Sequence, residues 1–285
     1  MQTEYFHLCS EGTKSDVLFH DREEFVSGMN VVAVVARSVN VAILAFCLMD
    51  NHFHFILRCT EGQVALFAAR IAQCYKIRRA RRFRDSAMEV LKWTWFVLED
   101  EDYRLKSIAY VLNNPLKAAY RSWFNEYPWS SGSLYFRDGM SLEVEMDSFR
   151  SVRDLSAREK RKVLGSRLDF PEDWLVTKWG FIWPGCYVRW QEVEKIYNGS
   201  VKWFSYFLSA KQGDEVEAMM MAKKPLGLPD VEVRERAQLR CLEWFGHKRL
   251  RSLSLDERRR IAKWLMAEMG CSEKQVLRVV RLQKE

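Results

Sequence analysis

No apolar run in the 285 residues approaches the roughly 20 that a membrane span needs. The longest, residues 31–36 and 41–49, are ended by Arg37 and Asp50. The amino-terminal MQTEYFHLCSEG lacks both a basic stretch and an apolar one, so no secretion signal is expected and a cytoplasmic location is predicted. The seven cysteines stand singly, with no CxxC spacing. That pattern argues against a zinc knuckle or a disulfide framework and leaves reduced thiols as the expectation. Internal repeats and low-complexity tracts are also missing, which excludes solenoids and long tails.

What is present is the composition of a globular protein, 48% hydrophobic and 29% charged. The net charge of +7 is unevenly spread: +1 over residues 1–140, 0 over 141–230 and +6 over 231–285. A basic carboxy-terminal segment suits a polyanionic partner.

The patterning predicts an α+β chain. Residues 4–9 alternate as a strand, and Asp21 can cap a helix over 22–36. Two strand-like runs, VNVAILAFCLM and HFHFILR, meet at a tight turn at Asp50 and Asn51. Residues 63–84 are helical by period, 91–98 read as a strand, and DEDYRLKSIAYVLNN reads as a helix stopped by Pro115. The order strand, helix, strand, strand, helix, strand, helix is that of a ferredoxin-like split βαβ sandwich with one added helix. Three regions follow: a domain over 1–140, a tryptophan-rich middle over 141–230 and a helical domain over 231–285. Helices are predicted over 231–245, 255–268 and 273–282, with capping boxes at Ser254 to Glu257 and Ser272 to Gln275.

The stretch LMDNHFHFILR carries His52 and His54 one residue apart. In a strand both project to one face, a geometry suited to a shared ligand. Taken alone, the pair reads first as two core or edge histidines satisfied by backbone carbonyls, so a partner elsewhere decides. IAYVLNNP supplies one: Tyr110 and Asn114 are four apart, on one helical face. Two imidazoles and an amide oxygen make a partly open divalent site, and a tyrosine beside it can act as nucleophile.

These motifs resemble the REP-associated and related single-tyrosine transposases of the HUH endonuclease superfamily over about residues 4–135. The shared positions are Met49, Asn51, His52, His54, Tyr110, Asn114, Pro115, Tyr127, Trp129, Ser130 and Ser131. The resemblance implies that His52, His54 and Asn114 bind Mg²⁺ or Mn²⁺ and that Tyr110 attacks the scissile phosphate. The implied substrate is single-stranded DNA with hairpin or palindromic ends, cut through a 5′-phosphotyrosine intermediate by a monomer or homodimer. Asp50 stands where the family usually has proline, and RRFRDSAMEVLKWTW replaces a Gly- and Phe-containing basic stretch.

Arg70, Lys76, Arg78, Arg79, Arg81, Arg82 and Arg84 form a run without acids, expected to contact phosphates. Residues 255–268 and 273–282 resemble a helix-turn-helix of replication-initiator type, which would aim Lys274, Gln275, Arg278 and Arg281 at DNA. His7, His20 and His247 have no companions at ligand spacing, and Tyr103 and the tryptophans of 174–203 are read as packing residues. The alternatives kept open are a non-catalytic DNA-binding regulator derived from a transposase and a rolling-circle nicking initiator.

Overall fold

The computed structural model describes residues 3–10, 18–19, 21–83, 91–118, 123–137, 141, 145–165, 169–208, 230–247, 249–269, 271, 273–280 and 282. They form two compact units, Met1–Met220 and Met221–Glu285. The first is built on β1 (Glu4–Ser10), α1 (Arg22–Val39), β2 (Ala42–Leu48), β3 (Phe53–Cys59), α2 (Glu61–Phe83), β4 (Trp93–Val97) and α3 (Glu101–Lys117). The four strands make one sheet in the order β2-β3-β1-β4, and every neighbouring pair is antiparallel.

Strand alternation gives the sheet two differently used faces. Phe6, Leu8, Phe46, Leu48, Phe53, Phe55 and Leu57 share one core cluster with residues of α1 and α2. On the other face Leu44, Cys47 and Ile56 cluster with Ile108, Val111 and Leu112 of α3. The helix starts follow their capping signals. The Asp21 carboxylate accepts from Glu24 N at 3.0 Å, and the Asp100 side chain accepts from Tyr103 N at 2.6 Å. Helix α3 does not stop before Pro115 as the sequence suggests but continues to Lys117. So close to the carboxy-terminal end the proline removes a single intrahelical donor, and Ala118 N still reaches Asn114 O at 3.0 Å.

The outer edge of β2 would expose unpaired backbone groups, and two later segments cover it. Leu48 N donates to Trp129 O (2.9 Å) and Ser131 N to Phe46 O (3.0 Å). Phe46 N in turn donates to Ser131 Oγ (3.0 Å). Tyr127 and Tyr135 donate their hydroxyls to Leu48 O (2.8 Å) and Leu44 O (2.6 Å). Further along the edge, Arg189 N donates to Ile43 O at 2.8 Å. The described middle residues thus pack into the first unit. They include the short strands β5 (Arg150–Ser151) and β6 (Leu175–Val176) and the helices α4 (Ala157–Leu164), α5 (Trp190–Ile196) and α6 (Val201–Phe207). Of the tryptophans read as packing residues, Trp183 is buried, whereas Trp179 and Trp203 are 41% and 42% exposed.

The second unit contains α7 (Asp230–Phe245), α8 (Leu255–Met269) and α9 (Glu273–Val280). They enclose an apolar cluster that includes Val233, Ala237, Ile261, Leu265, Val276 and Val279. The Ser254 box is formed, Ser254 N donating to Glu257 Oε2 at 2.8 Å. The Ser272 box lies outside the described residues.

Replacing Ser131 by alanine should leave the buried Phe46 N–H without its acceptor, at a cost of about 1–3 kcal/mol. A urea melt of Ser131→Ala with an unchanged midpoint would show that the edge cover does not depend on this hydroxyl.

Candidate active site

Strand register assembles the histidines. His54 of β3 lies opposite Cys9 of β1 and Cys47 of β2. Residues opposite one another in antiparallel strands share a face, and so does His7, two residues before Cys9. Because β3 begins at Phe53, His52 sits at the end of the turn rather than within the strand. Its ring is nevertheless 4.8 Å from that of His54, nearly perpendicular to it.

His7 is fully buried, with Nε2 at 3.2 Å from His54 Nδ1. His7, without a companion at ligand spacing in the sequence, is a core residue whose companion in space is His54. The two are diagonal neighbours across the β1/β3 pair, a relation set by sheet order that no local spacing reveals.

Helix α3 lies over this face. Tyr110 places its ring 5.5 Å from His54 and 5.8 Å from His7. One turn on, Asn114 Nδ2 donates to Tyr110 O at 2.9 Å, and the Asn114 side chain is hydrogen-bonded to His52. One further turn on, Lys117 Nζ stands 5.1 Å from the centre of the Tyr110 ring. The sequence reading missed Lys117, although position i+7 from Tyr110 falls on the same helical face. Tyr103 is buried, and burial raises its phenol above the usual value.

Burial is also the main influence on the imidazoles. It pulls His7 down to about 3 and His54 well below the ordinary value. Burial lowers His52 too, partly offset by the Asp50 carboxylate and the Asn114 hydrogen bond. Neutral imidazoles are the form that coordinates metal. His52 Nδ1 is 2.6 Å from Asn51 Oδ1, and His54 Nδ1 is taken by His7. His54 Nε2 is therefore left for coordination, and at His52, where Asn51 holds Nδ1, an ion would take Nε2 in place of the Asn114 contact; each Nδ1 partner holds the supporting position usual around metal-bound histidine. Among the described residues no three His, Cys, Asp or Glu side chains are arranged to hold an ion. An ion here would therefore require the amide oxygen of Asn114 beside the two imidazoles, a donor set that fits a divalent cation with open positions.

The basic run divides. Arg70 and Lys76 are exposed on α2. Arg78 is a structural tie instead of a solvent-facing phosphate contact. Its guanidinium donates to Ser27 O (3.1 Å), Ser27 Oγ (2.8 Å) and Leu164 O (2.7 Å). The side chains of Arg79, Arg81, Arg82, Lys274, Gln275 and Arg278, and all of Arg84, Arg281 and His20, lie outside the described residues. Within the second unit, Arg234, Arg249, Arg251 and Arg258 line a cavity of about 490 Å³ that has no carboxylate among its lining residues.

No protein-family model and no curated protein matches the chain. Among solved structures, the chain is similar to a REP-associated tyrosine transposase bound to a REP hairpin. The likeness covers 46% of this chain and 78% of that one, at 14% identity and a TM-score of 0.38. Similarity at that level establishes neither family nor activity.

The buried imidazoles make stability depend on pH in a fixed direction. Between the unfolded value of 6.5 and the folded value of about 3, the unfolded chain holds a proton on residue 7 that the native chain does not. Stability in the presence of a chelator should therefore fall as pH drops through that window, by about 1.4 kcal/mol per pH unit for each imidazole held neutral. His7→Gln should flatten the slope by one proton's worth in urea melts. A slope unaffected by the substitution would contradict the burial of a neutral His7.

Proposed function

We propose that the first unit is a metal-dependent HUH-type endonuclease and strand transferase that cuts single-stranded or hairpin DNA through Tyr110. On this reading the sheet and helices form a ferredoxin-like sandwich, and the second unit is a helix-turn-helix module that adds DNA affinity. One observation carries the proposal: His52, His54, Tyr110 and Asn114, from two distant segments, converge on one face of the sheet, with the His54 ring 4.8 Å from His52 and 5.5 Å from Tyr110.

His52, His54 and Asn114 would hold Mg²⁺ or Mn²⁺. Such an ion supplies Lewis acidity toward a non-bridging phosphate oxygen and offsets charge in the transition state. Asn114, bonded to the Tyr110 carbonyl, keeps that oxygen donor in register with the nucleophile one turn away. The Tyr110 hydroxyl oxygen forms a bond to phosphorus as the bond to the 3′ oxygen breaks. The phenolic proton is lost, and the departing oxygen ends as a 3′-OH. Lys117, with Nζ 5.1 Å from the ring centre, places a positive charge beside the attacking group. Because one phosphoester replaces another, an incoming 3′-OH can reverse the step and join a different strand without ATP. Within the second unit, the four-arginine cavity is complementary to backbone phosphates.

A second reading, a DNA-binding regulator that does not cleave, draws on the burial of Tyr110, which is only 9% exposed. Labelled hairpin DNA incubated with Mn²⁺ separates the two. Wild type should give a covalent adduct on a denaturing gel, and Tyr110→Phe should give none. An adduct persisting in Tyr110→Phe would remove the nucleophile assignment. Retained binding without any wild-type adduct, tested on the DNA ends that flank the gene, would favour the regulator.

A further inference from the structure

Trp179 is held at the tip of a tight hairpin in the middle region. Gly180 N donates to Thr177 O and Thr177 N to Phe181 O, both at 2.9 Å. Gly180 has φ of +90°, a conformation that a side chain would strain. The hairpin is clamped from below by Asn30 of α1, which is buried. Its Nδ2 donates to Gly180 O and its Oδ1 accepts from Ile182 N, both at 3.0 Å. The buried amide thus fixes the backbone that directly follows a tryptophan that stays 41% exposed.

The surroundings of that indole are aromatic on the inside and cationic on the outside. Phe181 stacks near it at 5.9 Å, and Trp129, itself stacked on Phe25, is 6.5 Å away. The Arg22 guanidinium and Lys178 Nζ lie 5.2 and 5.5 Å from its centre. Trp179 borders an open groove of about 750 Å³ whose lining includes Arg22, Lys162 and Lys178 beside Glu23, with Arg78 tied to Ser27 and Leu164 and Arg150 paired to Glu159. Leu18 and Phe19, just ahead of Arg22, donate their backbone N–H groups to Asp50 O at 2.6 and 3.0 Å, in the turn that carries His52.

We propose that Trp179 is a stacking platform for an unpaired nucleobase, with Arg22, Lys178 and Lys162 taking the adjoining phosphates of a single DNA strand. An exposed indole with two cations over its ring has the chemistry of a single-strand contact: a base that takes the aromatic face displaces the cations toward its own adjoining phosphates. Fixing the hairpin in advance lowers the ordering cost of that contact. The inference rests on the DNA reading of the first unit and adds to it a site outside the segment on which the family resemblance was based.

The test uses the full chain and fluorescein-labelled oligothymidylate, followed by anisotropy, with thermal melts as a folding control. Trp179→Ala should weaken binding about 5- to 100-fold, while Trp179→Phe keeps most of the affinity. Duplex of the same length should be little affected. One abasic position should weaken wild type but not Trp179→Ala, because base and indole act as a pair. Lys178→Ala should reduce the salt slope by about 0.7. The proposal is overturned if Trp179→Ala binds as wild type does, if duplex loses as much as single strand, or if polyglutamate competes as well as DNA. A wild-type chain that forms the Tyr110 adduct while Trp179→Ala binds normally defeats this inference alone. A wild-type chain that neither binds oligothymidylate nor forms an adduct defeats the DNA reading together with it.

Discussion

The antiparallel pairing of β1 with β3 is the constraint on which the candidate site depends. With Cys9 opposite His54, His7 falls diagonally beside that imidazole and both face α3. A slip of one residue would turn every side chain of β3 to the other face, moving His54 into the phenylalanine-rich core. Packing opposes such a slip, because Phe53, Phe55 and Leu57 already fill the α1/α2 side. The hydrophobic pattern that stabilises the sheet is thus also what aims the imidazole. On the opposite side, Ile108, Val111 and Leu112 of α3 bury their apolar surface against the sheet, which leaves Tyr110 and Asn114 over the histidines.

The later parts of the first unit protect that arrangement at its weakest point. β2 is an edge strand and leads directly into the turn that carries His52. Tyr127, Trp129, Ser131 and Tyr135 bond its outer backbone groups, so Ser131 and the two tyrosines of this segment serve hydrogen bonding along an edge. The middle region continues the same task. Val188 and Arg189 extend the cover at Ile43, while Glu192 pairs in bidentate fashion with Arg58 of β3 at 2.7 and 3.0 Å. Tyr197, from the end of α5, reaches the Leu105 carbonyl of α3 at 2.6 Å. Sheet, hairpin and tyrosine-bearing helix are therefore all tied to chain that follows them.

The sequence made the element order legible because strand alternation and helical period are local, and the caps at Asp21, Asp100 and Ser254 stand where capping chemistry puts them. His52, His54, Tyr110 and Asn114 were legible for the same reason, each pair lying within one element or turn. His7 was not, since its contact with His54 depends on which strands become neighbours. Arg78 belongs to a run that reads as a charged face, and only the approach of Ser27 and Leu164 turns it inward. Trp179 resembles Trp183 in sequence, yet a hairpin clamped by Asn30 displays the first and the core takes the second. Pro115 reads as a stop, but its cost is small where the helix is about to end.

The proposed reaction requires a divalent ion shared by the imidazoles of His52 and His54 and the amide of Asn114. Calorimetric titration of Mn²⁺ into wild type, His54→Ala and Asn114→Ala addresses it without requiring DNA. The expected result is one ion per chain for wild type, loss of binding in His54→Ala and weakened binding in Asn114→Ala, with all three proteins folded. Mn²⁺ binding that survives unchanged in His54→Ala, or none in wild type, would contradict it.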